Sequence, residues 1–111
     1  MINPTSRESK GTPDWTFLTN HAHVLIYLAR TPDARLRDVA DLVGITERAV
    51  QRIVADLEQE GYLVREKLGR RNRYFVNSDR PFRHPIESHR NVSVLLDSVV
   101  RTESRAKSKR Q

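Results

Sequence analysis

The chain has 111 residues, 20 Lys and Arg against 14 Asp and Glu for a formal charge of +6, and only 37% apolar and 6% aromatic residues. That length holds one compact domain with tails, and the positive surplus favours a polyanionic partner. The lack of cysteine excludes disulfides, thiolate metal sites and cysteine nucleophiles. No apolar run approaches the ~20 residues of a membrane span, and the polar start Met1–Lys10 lacks a secretory signal's apolar stretch, so a soluble cytoplasmic protein is expected.

In chain order, residues 1–13 read as a flexible arm of Asn, Pro, Thr, Ser, Gly and charge. Trp15, Phe17 and Leu18 then bring in bulk, expected as a short extended stretch laid over the domain. Thr19 or Asn20 can cap a first helix in which Ala22, Leu25, Ile26, Leu28 and Ala29 recur at helical spacing, up to the Thr31-Pro32-Asp33 turn. A two-turn helix over 36–43 places Leu36, Val39, Ala40 and Val43 on one face, and Gly44 ends it. Thr46 can cap a third helix whose Val50, Ile53, Val54 and Leu57 form an apolar stripe and whose Glu47, Arg48, Gln51, Arg52 and Asp56 face away.

Gly61 ends that helix, and Tyr62–Lys67 and Tyr74–Asn77 read as two strands joined by the turn Leu68-Gly69-Arg70-Arg71-Asn72. An irregular connection over 78–90 follows, with Pro81, His84, Pro85 and His89. Asn91 can cap a last helix carrying Val92, Leu95, Leu96, Val99 and Val100 on one face, before a basic tail. The expected organisation is an arm (1–13), a domain (14–77), a connection with a C-terminal helix (78–104) and a tail (105–111). The fold class is mainly α with a small antiparallel β-hairpin, an α+β winged helix-turn-helix with an added C-terminal helix.

The order helix, short helix, Gly turn, helix, Gly, hairpin leads to a resemblance. The runs Leu36-Arg37-Asp38-Val39-Ala40-Asp41-Leu42-Val43-Gly44-Ile45-Thr46, Val50-Gln51-Arg52-Ile53-Val54 and Asp56-Leu57-Glu58-Gln59-Glu60-Gly61-Tyr62-Leu63 resemble the winged helix-turn-helix of MarR-like and ArsR-like transcription regulators. The resemblance covers roughly half the chain, Val24 to Val76. Ala40 is small where two helices cross closely, and Gly44 allows the sharp turn between them.

The resemblance implies double-stranded DNA as partner, with Thr46 starting the reading helix and Glu47, Arg48, Gln51 and Arg52 at base edges of the major groove. Arginine pairs bidentately with guanine, glutamine with adenine, and glutamate accepts from cytosine. Arg70, Arg71, Asn72 and Arg73 would form a wing that grips the backbone or enters the minor groove. Each feature also has a plainer reading: charged helix faces are usually just solvated, and a basic hairpin tip can serve only to discourage strand pairing.

The last helix suggests a homodimer through Val92, Leu95, Leu96 and Val99, unless that helix simply packs on the first helix of its own domain. His21, His23, His84 and His89 do not make a metal site on this reading, since His21 and His23 lie about 200° apart on a helix and no thiolate is present. No cofactor is expected, and no Gly-rich phosphate loop, nucleophile elbow or convergent acid–base set suggests an enzyme. The alternatives to a sequence-specific transcription regulator are a winged-helix protein-interaction module and a weakly specific architectural DNA binder. The sequence names no small-molecule effector.

Overall fold

The computed structural model describes residues 13–100, so nearly all of the expected arm and the whole basic tail lie outside the described residues. Among the described residues three helices, α1 (Asn20–Arg30), α2 (Leu36–Val43) and α3 (Glu47–Gln59), precede a hairpin of β1 (Leu63–Leu68) and β2 (Arg71–Val76) and a short α4 (Ser93–Val99). These helices and the two-stranded antiparallel hairpin, in this order, make an α+β winged helix.

Local chemistry sets each boundary. The Thr19 hydroxyl accepts from the Ala22 N–H at the start of α1, and α1 stops at Thr31, directly ahead of Pro32. Gly44 turns the chain out of α2 at φ 90°, a left-handed conformation that costs glycine no Cβ clash. Both the Gly44 and Ile45 N–H groups then reach the Ala40 carbonyl. Thr46 caps α3 by accepting from the Ala49 N–H at 3.0 Å. At the other end of α3, Gly61 N–H bonds Glu58 O and Tyr62 N–H bonds Leu57 O, the paired closure of a Schellman motif that delivers the chain to β1.

The core is formed where three amphipathic helices meet one face of the hairpin. Val24, Leu25, Ile26 and Leu28 of α1, Val39 and Ala40 of α2, and the α3 stripe Val50, Ile53, Val54 and Leu57 are buried with Tyr62, Leu63 and Tyr74. Burying such side chains contributes about 1.5–3 kcal/mol each before chain entropy is counted.

The hairpin is tighter than the sequence suggests. Strand pairing runs from Leu63↔Val76 to Leu68↔Arg71, leaving only Gly69 and Arg70 as the turn. Gly69 has φ 67° and Arg70 a negative φ, the pattern of a two-residue II′-type turn whose twist suits a hairpin. The five-residue turn expected at 68–72 is thus corrected: Arg71, Asn72 and Arg73 belong to β2.

Two further expectations are corrected. Trp15 and Phe17 do not lie over the domain; they are 69% and 91% exposed and stack edge to face on each other at 5.1 Å, while Leu18 alone of the three packs on the core. Asn91 does not cap the last helix. It forms a bridge with Pro81, and α4 begins after Val92 without a side-chain cap.

The connection from β2 to α4 doubles back on itself, with Phe82 N–H bonded to Arg90 O and Val92 N–H to Arg80 O. The Tyr62 hydroxyl donates to the Pro81 carbonyl, and the Arg80 guanidinium lies over the Tyr62 ring at 5.9 Å. These contacts seat Phe82 against the core and bring α4 against α1. Val92 and Leu96 are consequently buried within the chain's own domain.

Candidate nucleic-acid interface

Helix α3 presents its two faces to different surroundings. Because Val50, Ile53, Val54 and Leu57 are buried against the domain, helical geometry turns Glu47, Arg48, Gln51 and Arg52 outwards, and all four are exposed. Among the described residues none of these four side chains has a hydrogen bond or ion pair. Thr46 orders the helix start directly beneath them. The C-terminal half of the same helix is tied down instead. Asp56 Oδ2 meets His21 Nε2 of α1 at 2.8 Å, and Glu58 receives two contacts from the Arg65 guanidinium of β1, both at 3.1 Å.

The wing arginines fall into two groups. Arg70 sits on the turn, exposed and, among the described residues, without a partner. Arg71 and Arg73 project from β2 rather than from a loop tip, and each has an internal contact. Arg71 Nη2 donates to the Asp33 carbonyl at 3.0 Å, and the Arg73 guanidinium lies over the Phe75 ring at 5.7 Å, an arrangement in which the ring face attracts the cation. Asn72 is half-buried on the opposite side of the strand. The flank of β2 is held to the α1–α2 turn by the Tyr74 N–H, which bonds the Pro32 carbonyl at 2.8 Å.

That attachment brings in a residue sequence reasoning missed. Arg35 stands just ahead of α2 and lines an open cleft of about 620 Å³ together with Asp33, Leu36, Arg70, Arg71 and Tyr74. Arg35 belongs to no periodic face, so spacing carried no signal for it. Only the pairing of β2 with the Pro32 turn places it beside the wing.

A second cleft of about 330 Å³ lies between α1, the end of α3, the connection and α4, walled mainly by Ala22, Leu25, Leu57, Phe82 and Leu95, with His21 and Asp56 at its edge. Three of the four histidines have separate partners: His21 has Asp56, His23 Nδ1 lies 3.2 Å from Asn20 Oδ1, and His84 Nδ1 accepts from the Ile86 N–H. Of the residues expected at a dimer interface, Val92 and Leu96 are in the core and Leu95 is half-buried; Val99 is 42% exposed, as is its neighbour Val94 at 41%. Val92 and Leu96 are therefore corrected as interface residues, because both are buried in the chain's own core.

A capped, outward-facing helix joined by a glycine turn to a shorter helix and followed by a basic hairpin defines a winged helix-turn-helix protein. Comparison with known proteins agrees. The family model described as the MarR family matches residues 16–73, and the chain belongs to that family, whose members are DNA-binding transcription regulators and not enzymes. Among solved structures the chain is similar to a MarR-like transcriptional regulator from Thermotoga maritima, at 24% identity and a TM-score of 0.49, over 95% of this chain and 79% of that one. No curated protein matches the chain. Among the described residues no helix is long and apolar enough to cross a membrane.

Proposed function

We propose that this protein is a sequence-specific double-stranded DNA-binding transcription regulator, with the N-terminal half of α3 in the major groove and the wing on the backbone or in the minor groove. The observation that carries the reading is the state of the Glu47, Arg48, Gln51 and Arg52 side chains: exposed and, among the described residues, without a partner, on a capped helix of a MarR-family chain. Side chains free of internal partners lose no native contact when they meet base edges. Their donors and acceptors match guanine, adenine and cytosine.

Fluorescence anisotropy with labelled duplexes, one random and one selected from a random pool by the protein itself, tests this. Arg52→Ala and Gln51→Ala should each lower the preference for the selected duplex by about 1–3 kcal/mol while nonspecific binding persists. An unchanged preference in both variants would remove α3 from the reading surface.

The regulator acts, on this proposal, as a homodimer in the cytoplasm, with Leu95 and Val99 at the interface alongside exposed Val94. Two reading helices about one DNA turn, ~34 Å, apart would then suit a palindromic operator. Sedimentation of Val99→Asp should give monomers and weakened operator binding; a dimer of unchanged stability would put the interface elsewhere.

A further inference from the structure

We propose that Arg35, Arg70 and Arg71 form a seat for a backbone phosphate of the bound duplex, a contact made by the α1–α2 turn and the wing together and separate from the reading face of α3. The inference rests on the DNA-binding reading above and adds to it a residue, Arg35, and a place.

The charged residues lining the cleft between turn and wing are three arginines, Arg35, Arg70 and Arg71, and one acid, Asp33. Guanidinium groups stay protonated in proteins, so the cleft keeps a positive excess. The acid does not neutralise the arginines: among the described residues neither the Arg35 nor the Arg70 side chain has a hydrogen bond or ion pair. Arg71 spends one N–H on the Asp33 carbonyl and retains four of its five donors. That bond, with the Tyr74 N–H to Pro32 O bond beside it, fixes the spacing between the two walls. A ligand entering the cleft therefore meets arginines from both sides without having to close it.

Size and exposure favour a polymer over a free ion. A cleft of about 620 Å³ is far larger than one phosphate, and would take a phosphodiester with its flanking sugars. Arg35, Arg70 and Arg71 are all exposed, and exposed pairs with a small anion are weakened by water and salt. A duplex backbone adds what a small anion lacks, because each neutralised phosphate releases condensed counterions.

Arg35→Ala is the informative variant, since the Arg35 side chain is exposed and, among the described residues, has no hydrogen bond or ion pair to lose, whereas removing Arg71 also frees the Asp33 carbonyl. Binding of the full-length chain to the random and the selected duplex is measured across a salt series. Loss of one phosphate contact should lower the magnitude of the slope of log K against log salt by about 0.9, and weaken both duplexes alike, by about eightfold at 0.1 M salt. Arg35→Lys should keep most of the slope.

If Arg35→Ala leaves affinity and slope unchanged while Arg52→Ala still erodes the preference for the selected duplex, the phosphate seat is wrong and the reading of α3 stands. If the native chain binds neither duplex, both fall. Competition by inorganic pyrophosphate beyond that of sulfate at matched ionic strength, abolished by Arg35→Ala, would overturn the duplex assignment in favour of a small phosphate ligand.

Discussion

Helix α3 and the wing both carry exposed arginine, but the two are prepared for contact in different ways. On α3 the backbone is rigid and the side chains are free: Thr46 caps the helix, four apolar residues anchor it, and Arg48 and Arg52 have no internal partner among the described residues. In the wing the backbone is a two-stranded ribbon, which is weak alone, and most arginines are held in place by neighbours: Arg71 by the Asp33 carbonyl, Arg73 by the Phe75 ring. Free side chains on a rigid helix can adjust to base edges, where sequence is read. Pre-positioned cations suit phosphates, whose spacing does not depend on sequence. The division implies that damage to the wing is first a matter of stability, and damage to the outer face of α3 first a matter of discrimination.

The largest expected effect tests the wing half of this contrast. Tyr74 is 2% exposed and is the one residue of β2 in the buried core, while its N–H joins the strand to Pro32. Tyr74→Ala should cost about 3–5 kcal/mol, the range for losing a buried aromatic ring, in urea unfolding followed by circular dichroism. That is a large share of the stability of a small domain. Arg52→Ala should leave the same unfolding curve within about 0.5 kcal/mol, as exposed positions usually do. If both variants unfold alike, the contrast between regions fails.

Two medium effects locate the cause more finely. Gly69→Ala meets no atom within 4 Å of the new Cβ beyond its chain neighbours, so its penalty is that of holding a positive φ, above about 1 kcal/mol. Thr46→Ala should cost about 1 kcal/mol through the lost cap. The first should weaken both duplexes through the wing, and the second should act mainly on the order of Glu47 and Arg48. Amide exchange measured residue by residue separates them: faster exchange at Leu68 and Arg71 in one, at Ala49 and Val50 in the other.

The difference between the regions also explains what the sequence reveals. Helix α3 is written in local terms, with Gly44 and Thr46 before it and a stripe at helical spacing along it, so its inward and outward residues are legible without coordinates. The wing is held by contacts far apart in the chain. Arg71 reaches Asp33, and Tyr74 reaches Pro32, neither foreshadowed by any periodicity. The run Arg70-Arg71-Asn72 reads as turn-like on composition, yet Gly69 alone supplies the positive φ that a two-residue turn requires, and the strands zip to its edge. The apolar face of α4 is legible as a stripe, but a stripe does not say whose surface it meets. Val92 and Leu96 meet their own domain.

The smallest effect concerns the strut that links the two regions. Arg65 of β1 grips Glu58 of α3 through Nε and Nη2, both at 3.1 Å, with the side chains 45% and 24% exposed. A bidentate guanidinium–carboxylate pair is better ordered than most surface pairs, but at this exposure its contribution should stay below about 1 kcal/mol and should fade with salt. Glu58→Gln keeps the shape and removes the charge, so unfolding at low salt should show a small loss that fades towards 1 M, where the screening length falls to about 3 Å. A loss that persists at high salt would mean that the strut works through geometry rather than charge. The wing would then be set by α3 itself, and the two regions would no longer be separable.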